Sequence, residues 1–110
     1  RPYLNIMLPF NIASYATLVH IVAKMCNLIP GDLIFSGGNT HIYMNHVEQC
    51  KEILRREPKE LCELVISGLP YKFRYLSTKE QLKYVLKLRP KDFVLNNYVS
   101  HPPIKGKMAV

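Results

Sequence analysis

Several side chains in this sequence have the type and spacing to do chemistry. His41 and Tyr43 stand two apart, so in an extended chain they project to one side. An imidazole and a phenol converging there can serve a single sugar hydroxyl, one accepting and the other donating. The same spacing also suits a Tyr43 that packs and a His41 that caps the next helix. Asn11 follows Leu8-Pro9-Phe10 at the opening of a long apolar stretch. Its carboxamide offers one acceptor and two donors, the complement of a ring edge that pairs an N–H with a carbonyl, as uracil does. Cytosine reverses that edge, and a mismatch there leaves buried groups unpaired. Asn11 can equally cap a helix start through its side-chain oxygen. The cysteines are poor nucleophile candidates, because a reactive thiolate wants a helix N-terminus or a cationic neighbour. Cys26 falls near a helix C-terminus, Cys50 on an apolar helix stripe and Cys62 in a strand candidate. Among the histidines, His41 and His46 are five apart, His20 lies within the apolar run and His101 precedes two prolines. No metal site is expected from such a set. Gly37-Gly38 lacks the Gly-Lys-Ser/Thr of a phosphate loop and reads as a tight turn.

The elements that must position these residues follow from local patterning. Leu8 to Cys26 is broken only by Asn11, Ser14, Thr17, His20 and Lys24. It predicts a helix to about Asn27, apolar nearly all round and therefore made for an interior. Ile29-Pro30-Gly31-Asp32 is a turn, Leu33-Ile34-Phe35 a short buried strand, and Ser36 to Asn39 a break. A second helix is expected from about Met44 to Arg56, with Tyr43, Val47, Cys50 and Leu54 on one stripe and Glu52 paired to Arg56. Leu61 to Ile66 and Asp92 to Leu95 are strand candidates. Tyr71 to Tyr75, alternating aromatic and basic residues, predicts an edge strand. Ser77-Thr78 can cap a short helix through Leu86, and His101-Pro102-Pro103 forces an extended tail.

The length of 110 residues allows one domain with a modest core, and 48% hydrophobic residues argue against global disorder. The formal net charge is +7. Residues 1–50 hold two basic and two acidic side chains, while residues 51–110 hold thirteen basic and six acidic ones, so the excess lies wholly in the second half. That balance suits a polyanionic partner or a phosphorylated substrate. The basic residues are scattered with no run of five, which is weak support for nucleic acid. Three cysteines without ligand spacing and no signal peptide point to a reducing, cytoplasmic location. His20 and Lys24 inside the apolar stretch argue for a core helix over a membrane span.

Several segments together resemble the C-terminal part of the thymidylate synthase family, and of its phage members in particular. They are Leu8-Pro9-Phe10-Asn11-Ile12-Ala13-Ser14-Tyr15, Gly31-Asp32, Gly37 through His46, Arg56-Glu57-Pro58, His101 through Lys105 and the terminal Met108-Ala109-Val110. The resemblance implies an α+β two-layer fold, a large mixed sheet with packed helices that dimerises through the sheet. It implies reductive methylation of dUMP to dTMP, with 5,10-methylenetetrahydrofolate giving both carbon and hydride. In that family a cysteine thiolate adds to C6 of uracil, the ring carbon beside it takes up the one-carbon unit, and hydride transfer completes the methyl group. By motif position Asn11 would bind the pyrimidine edge, and His41 and Tyr43 the deoxyribose 3′-hydroxyl. Phe10 would line the folate pocket, and Ala109 with Val110 would belong to a tail that closes over the folate.

The chain departs from the family pattern in three respects. The Pro-Cys-His setting of the nucleophile and the arginines that hold the dUMP phosphate belong upstream of this region, so none of Cys26, Cys50 and Cys62 is expected to be catalytic. Arg1 to Met7 does not match the expected Arg-Ser…Asp-Val-Phe-Leu-Gly lead, which divides the chain into an unmatched lead at residues 1–7 and a synthase segment at residues 8–110. Ser67 to Lys91 is longer and more basic than the family's usual link. The resulting expectation is an inactive, marginally folded fragment. Its rivals are a basic RNA- or DNA-binding fragment, whose binding would weaken steeply with salt, and a non-functional partial product.

Overall fold

The apolar stretch at the start of the chain is a single helix, α1, spanning Leu8–Cys26 in the computed structural model, which describes residues 8–107. The expectations for residues 1–7, and for Ala109 and Val110 at the other end, lie outside the described residues. Pro9 falls in the first turn, where its missing N–H breaks no helical bond. Asn11 lies one turn in from the start at Leu8, so it is a helix residue and not the cap. Two polar residues of α1 turn their hydroxyls back on the helix. Ser14 Oγ donates to the Phe10 carbonyl at 2.9 Å, and Thr17 Oγ1 to the Ala13 carbonyl at 2.8 Å. Such internal bonds let a hydroxyl enter apolar surroundings without an outside partner. The helix stops at Asn27, whose φ of 53° is left-handed, and the Leu28 N–H closes back on the Ala23 carbonyl at 2.8 Å. Asparagine tolerates that conformation better than most residues, which places the stop in the sequence itself.

Residues 28–43 are irregular. Leu33-Ile34-Phe35 is not the buried strand its composition suggests, since all three residues are exposed, Ile34 by 88%. A strand needs an edge to pair with, and the described strands pair only with each other. A 3-10 turn at Met44–His46 leads into α2, Val47–Arg55. The Glu52–Arg56 pair forms at 3.2 Å, with Arg56 partly buried. The apolar stripe is partly covered at Tyr43, Val47 and Cys50, but Leu54 is exposed.

Strand β1, Glu63–Ile66, pairs antiparallel with β2, Phe93–Asn96, in the register Glu63↔Asn96 to Ile66↔Phe93. The chain is thus α+β, and the expected mixed sheet is represented by two antiparallel strands. Between them, residues 71–75 do not form an edge strand. They turn into a 3-10 helix at Phe73–Tyr75 that buries Phe73 to 4% exposure. Burying this ring outweighs the β preference of the alternating pattern. Helix α3, Thr78–Val85, opens on a complete capping box: Ser77 accepts from the Glu80 N–H, and the Glu80 carboxylate accepts from the Ser77 N–H. Gln81, 4% exposed, ties the unit together. Its amide donates to the Phe73 carbonyl at 3.0 Å and to the Met25 carbonyl at the end of α1 at 3.1 Å.

The main packing of α1 is thereby on β1, the 3-10 turn at residues 73–75 and α3, while α2 packs on its own preceding turn. Among the described apolar residues only Ala23 and Phe73 are buried. The radius of gyration is 17.3 Å, where a compact domain of this length has about 13 Å. The accessible surface is 9349 Å², against about 6,200 Å² for a folded chain of this mass.

Candidate active site

Tyr43 is extended, with φ −72° and ψ 143°, and this backbone brings His41 and Tyr43 to one side. Their rings meet edge to face, 5.1 Å between centroids at 87°. His41 Nδ1 lies 3.2 Å from the Asn39 carbonyl. A carbonyl only accepts, so Nδ1 carries the proton, and in the neutral ring Nε2 is then the acceptor. The pair therefore sets an imidazole with an acceptor Nε2 beside a phenol ring.

The loop before them is sterically set. A Cβ on Gly37 would collide with Thr40 Oγ1 and lie 3.3 Å from the Phe35 ring. Gly37 thus serves close packing in the loop before His41, whereas a Cβ on Gly38 would meet nothing within 4 Å.

Tyr43 also meets His46 edge to face, 6.1 Å between centroids. His46 is 2% exposed, the most buried polar residue described. Its Nε2 lies 2.6 Å from the Lys107 carbonyl, so Nε2 donates. From there the C-terminal tail runs along α2. Arg56 Nη1 donates to the Pro102 carbonyl at 2.6 Å, and His101 Nε2 donates to the Glu57 carbonyl at 2.7 Å. None of these three anchors was singled out as functional from the sequence. Their contacts join residues 44 to 61 positions apart, and no local spacing encodes such a link.

Phe10 and Asn11 are neighbours at the start of α1, both exposed, Phe10 by 75%. These two residues stand on α1, whereas His41 and Tyr43 stand before α2, and the two helices do not share a main packing contact. His41 and Tyr43 are brought together by the chain's own backbone, and Phe10 and Asn11 are placed on a separate element. Cys26 and Cys62 are exposed, and Cys50 is half-buried. Among the described residues no group of three His, Cys, Asp or Glu side chains is placed to hold a metal ion. No helix among them is long and apolar enough to cross a membrane.

The sequence matches the thymidylate synthase family over residues 4–110. The solved structure of thymidylate synthase from T4 phage is 92% identical with a TM-score of 0.87, and the alignment covers 100% of this chain. The chain spans 39% of that structure's length. A family match over nearly the whole chain, on a fold superimposing on a family structure, makes this chain a member of the thymidylate synthase family.

Proposed function

We propose that this chain supplies the C-terminal part of a thymidylate synthase active site, for the reductive methylation of dUMP to dTMP with 5,10-methylenetetrahydrofolate. Asn11 reads the uracil edge, and His41 and Tyr43 hold the deoxyribose 3′-hydroxyl. Phe10, Ala109 and Val110 line the folate site. The nucleophilic cysteine and the phosphate-binding arginines come from the preceding part of the fold, and the assembled enzyme is a cytoplasmic homodimer. The observation that carries this reading is the His41–Tyr43 pair, with Nδ1 of His41 held by the Asn39 carbonyl so that Nε2 is the ring's acceptor.

Each residue has a physical role in that site. Asn11 distinguishes bases by its donor and acceptor pattern, and Phe10 gives a flat apolar surface for the pterin. His41 and Tyr43 orient the sugar and so hold the ring in line for attack at C6. The 5,10-methylenetetrahydrofolate, when bound, supplies the carbon and the hydride.

The test is tritium release from 5-tritiated dUMP in the presence of the folate. The 110-residue chain by itself is expected to give none. A completed molecule, in which this chain is joined to the preceding part of the T4 phage fold, is expected to turn over. Clear turnover by the isolated chain would overturn the assignment of the nucleophile to another segment. An inactive completed molecule would overturn the assignment of this chain to the active site.

A further inference from the structure

The C-terminal tail is held against α2 at both ends of that helix. At one end Arg56 Nη1 donates to the Pro102 carbonyl at 2.6 Å, and His101 Nε2 donates to the Glu57 carbonyl at 2.7 Å. At the other end His46 Nε2 donates to the Lys107 carbonyl at 2.6 Å, with Asn45 Nδ2 at 3.5 Å from the same oxygen. His46 and Arg56 stand ten positions apart across α2, a rise of about 15 Å. Pro102 and Lys107 stand five positions apart, a reach of at most about 17 Å when extended. The two lengths nearly coincide, so the tail lies antiparallel to α2 with almost no slack. Pro102 and Pro103 stiffen its first part further.

Each anchor is itself fixed. Arg56 is partly buried, and its Nε donates to Glu52 Oε1 at 3.2 Å, which aims the guanidinium at the tail. His46 is buried, and its ring meets the edge of Tyr43, which in turn meets His41. The sugar-side pair and the tail anchor therefore form one connected row of rings. Nothing in a purely structural tail requires a charged donor at one end and a nearly inaccessible imidazole at the other.

We infer that Arg56 and His46 are positioning residues that clamp the tail along α2 and fix the place from which its last residues meet the folate. The folate part of this inference rests on the reading of the site proposed above. The clamp sets folate affinity without touching the folate.

The test uses the completed molecule and two readouts: tryptic cleavage after Lys105 and Lys107 relative to cleavage after Lys59 and Lys87, and the KM for 5,10-methylenetetrahydrofolate against the Kd for dUMP. Arg56→Ala and His46→Leu are each expected to raise tail cleavage about tenfold, the factor for losing one strong hydrogen bond. Folate KM rises with it and dUMP Kd stays within about twofold. His46→Gln, whose amide nitrogen can replace Nε2 as the donor, is expected to restore both readouts. Unchanged tail cleavage overturns the clamp, and equal acceleration at Lys59 and Lys87 overturns it in favour of general loosening. Deleting Val110 serves as the control. If that deletion raises folate KM while Arg56→Ala frees the tail without raising it, the positioning role is overturned. If the deletion leaves folate KM unchanged, the folate assignment of the tail fails, and the cleavage readout alone decides the clamp.

Discussion

Asn11 shows how one residue's meaning depends on where its helix begins. Its sequence position fits a cap, but α1 starts at Leu8 and carries Asn11 on its flank, exposed. Freed from capping, the carboxamide can face a ligand, which is the role proposed for it. In the completed molecule Asn11→Ala is expected to reduce the preference for dUMP over dCMP at least about 100-fold, because a site that matches polar edges discriminates far more strongly than one built on shape. Comparing kcat/KM for the two nucleotides checks this. Gln81 is the structural counterpart. Both of its amide hydrogens are used, on the Phe73 and Met25 carbonyls, in a buried site. Gln81→Leu is expected to destabilise the completed molecule by about 2 kcal/mol, since it removes two buried hydrogen bonds, although the Phe73 carbonyl keeps the Leu76 N–H at 3.1 Å. Gln81→Glu, equal in size but with a carboxylate facing two carbonyls, is expected to cost more at neutral pH. Urea unfolding of both variants measures the order.

At the scale of elements, what the sequence shows depends on how local the cause is. Helix α1 is legible because its stop is written in its own last turn, at Asn27 and Leu28. Helix α3 is legible because Ser77 and Glu80 close a capping box three residues apart. Leu33-Ile34-Phe35 misleads because apolar composition marks strand potential, whereas a strand exists only where an edge receives it. Tyr71 to Tyr75 misleads because the burial of Phe73 decides its shape. The tail anchors His46, Arg56 and His101 are invisible for the reason given by their separation along the chain. The capping box also gives a pH dependence. Hydrogen bonds from the Ser77 hydroxyl and then its backbone N–H hold the Glu80 carboxyl below its ordinary range. A depressed folded value means that the contribution is full above the ordinary glutamate range and is lost as pH falls through the folded value. Ser77→Ala is expected to cost about 1 kcal/mol at neutral pH. The difference between wild type and variant in urea unfolding should shrink on acidification through the carboxylate range, and a constant difference would argue against the cap.

The whole molecule is best understood through its missing cover. Phe10, Ile12, Tyr15, Leu18 and Val22 of α1 are all exposed, while Ser14 and Thr17 on the same helix have already satisfied their hydroxyls internally. This is the surface of a core helix, polar groups included. Completing the burial of five half-exposed large side chains is worth roughly 4–7 kcal/mol, comparable to the entire stability of a small domain. The excess in accessible surface and radius of gyration points the same way. The chain spans 39% of the T4 phage structure on which it superimposes, and the cover expected for α1 is the remainder of that fold. In isolation the 110-residue chain is therefore expected to bind a hydrophobic dye and to melt without a sharp transition. Added in trans, a polypeptide carrying the preceding part of the phage fold is expected to abolish dye binding, give a cooperative melt and restore tritium release. A second copy of the chain offers another exposed α1 and only a two-stranded sheet whose β1 already packs on its own α1, and so sharpens the melt less. Sedimentation of the chain alone and of the mixture separates the two. A stable dimer of the chain that already melts cooperatively and excludes the dye would show that α1 finds its cover in itself, against the expectation that the rest of the synthase fold provides it.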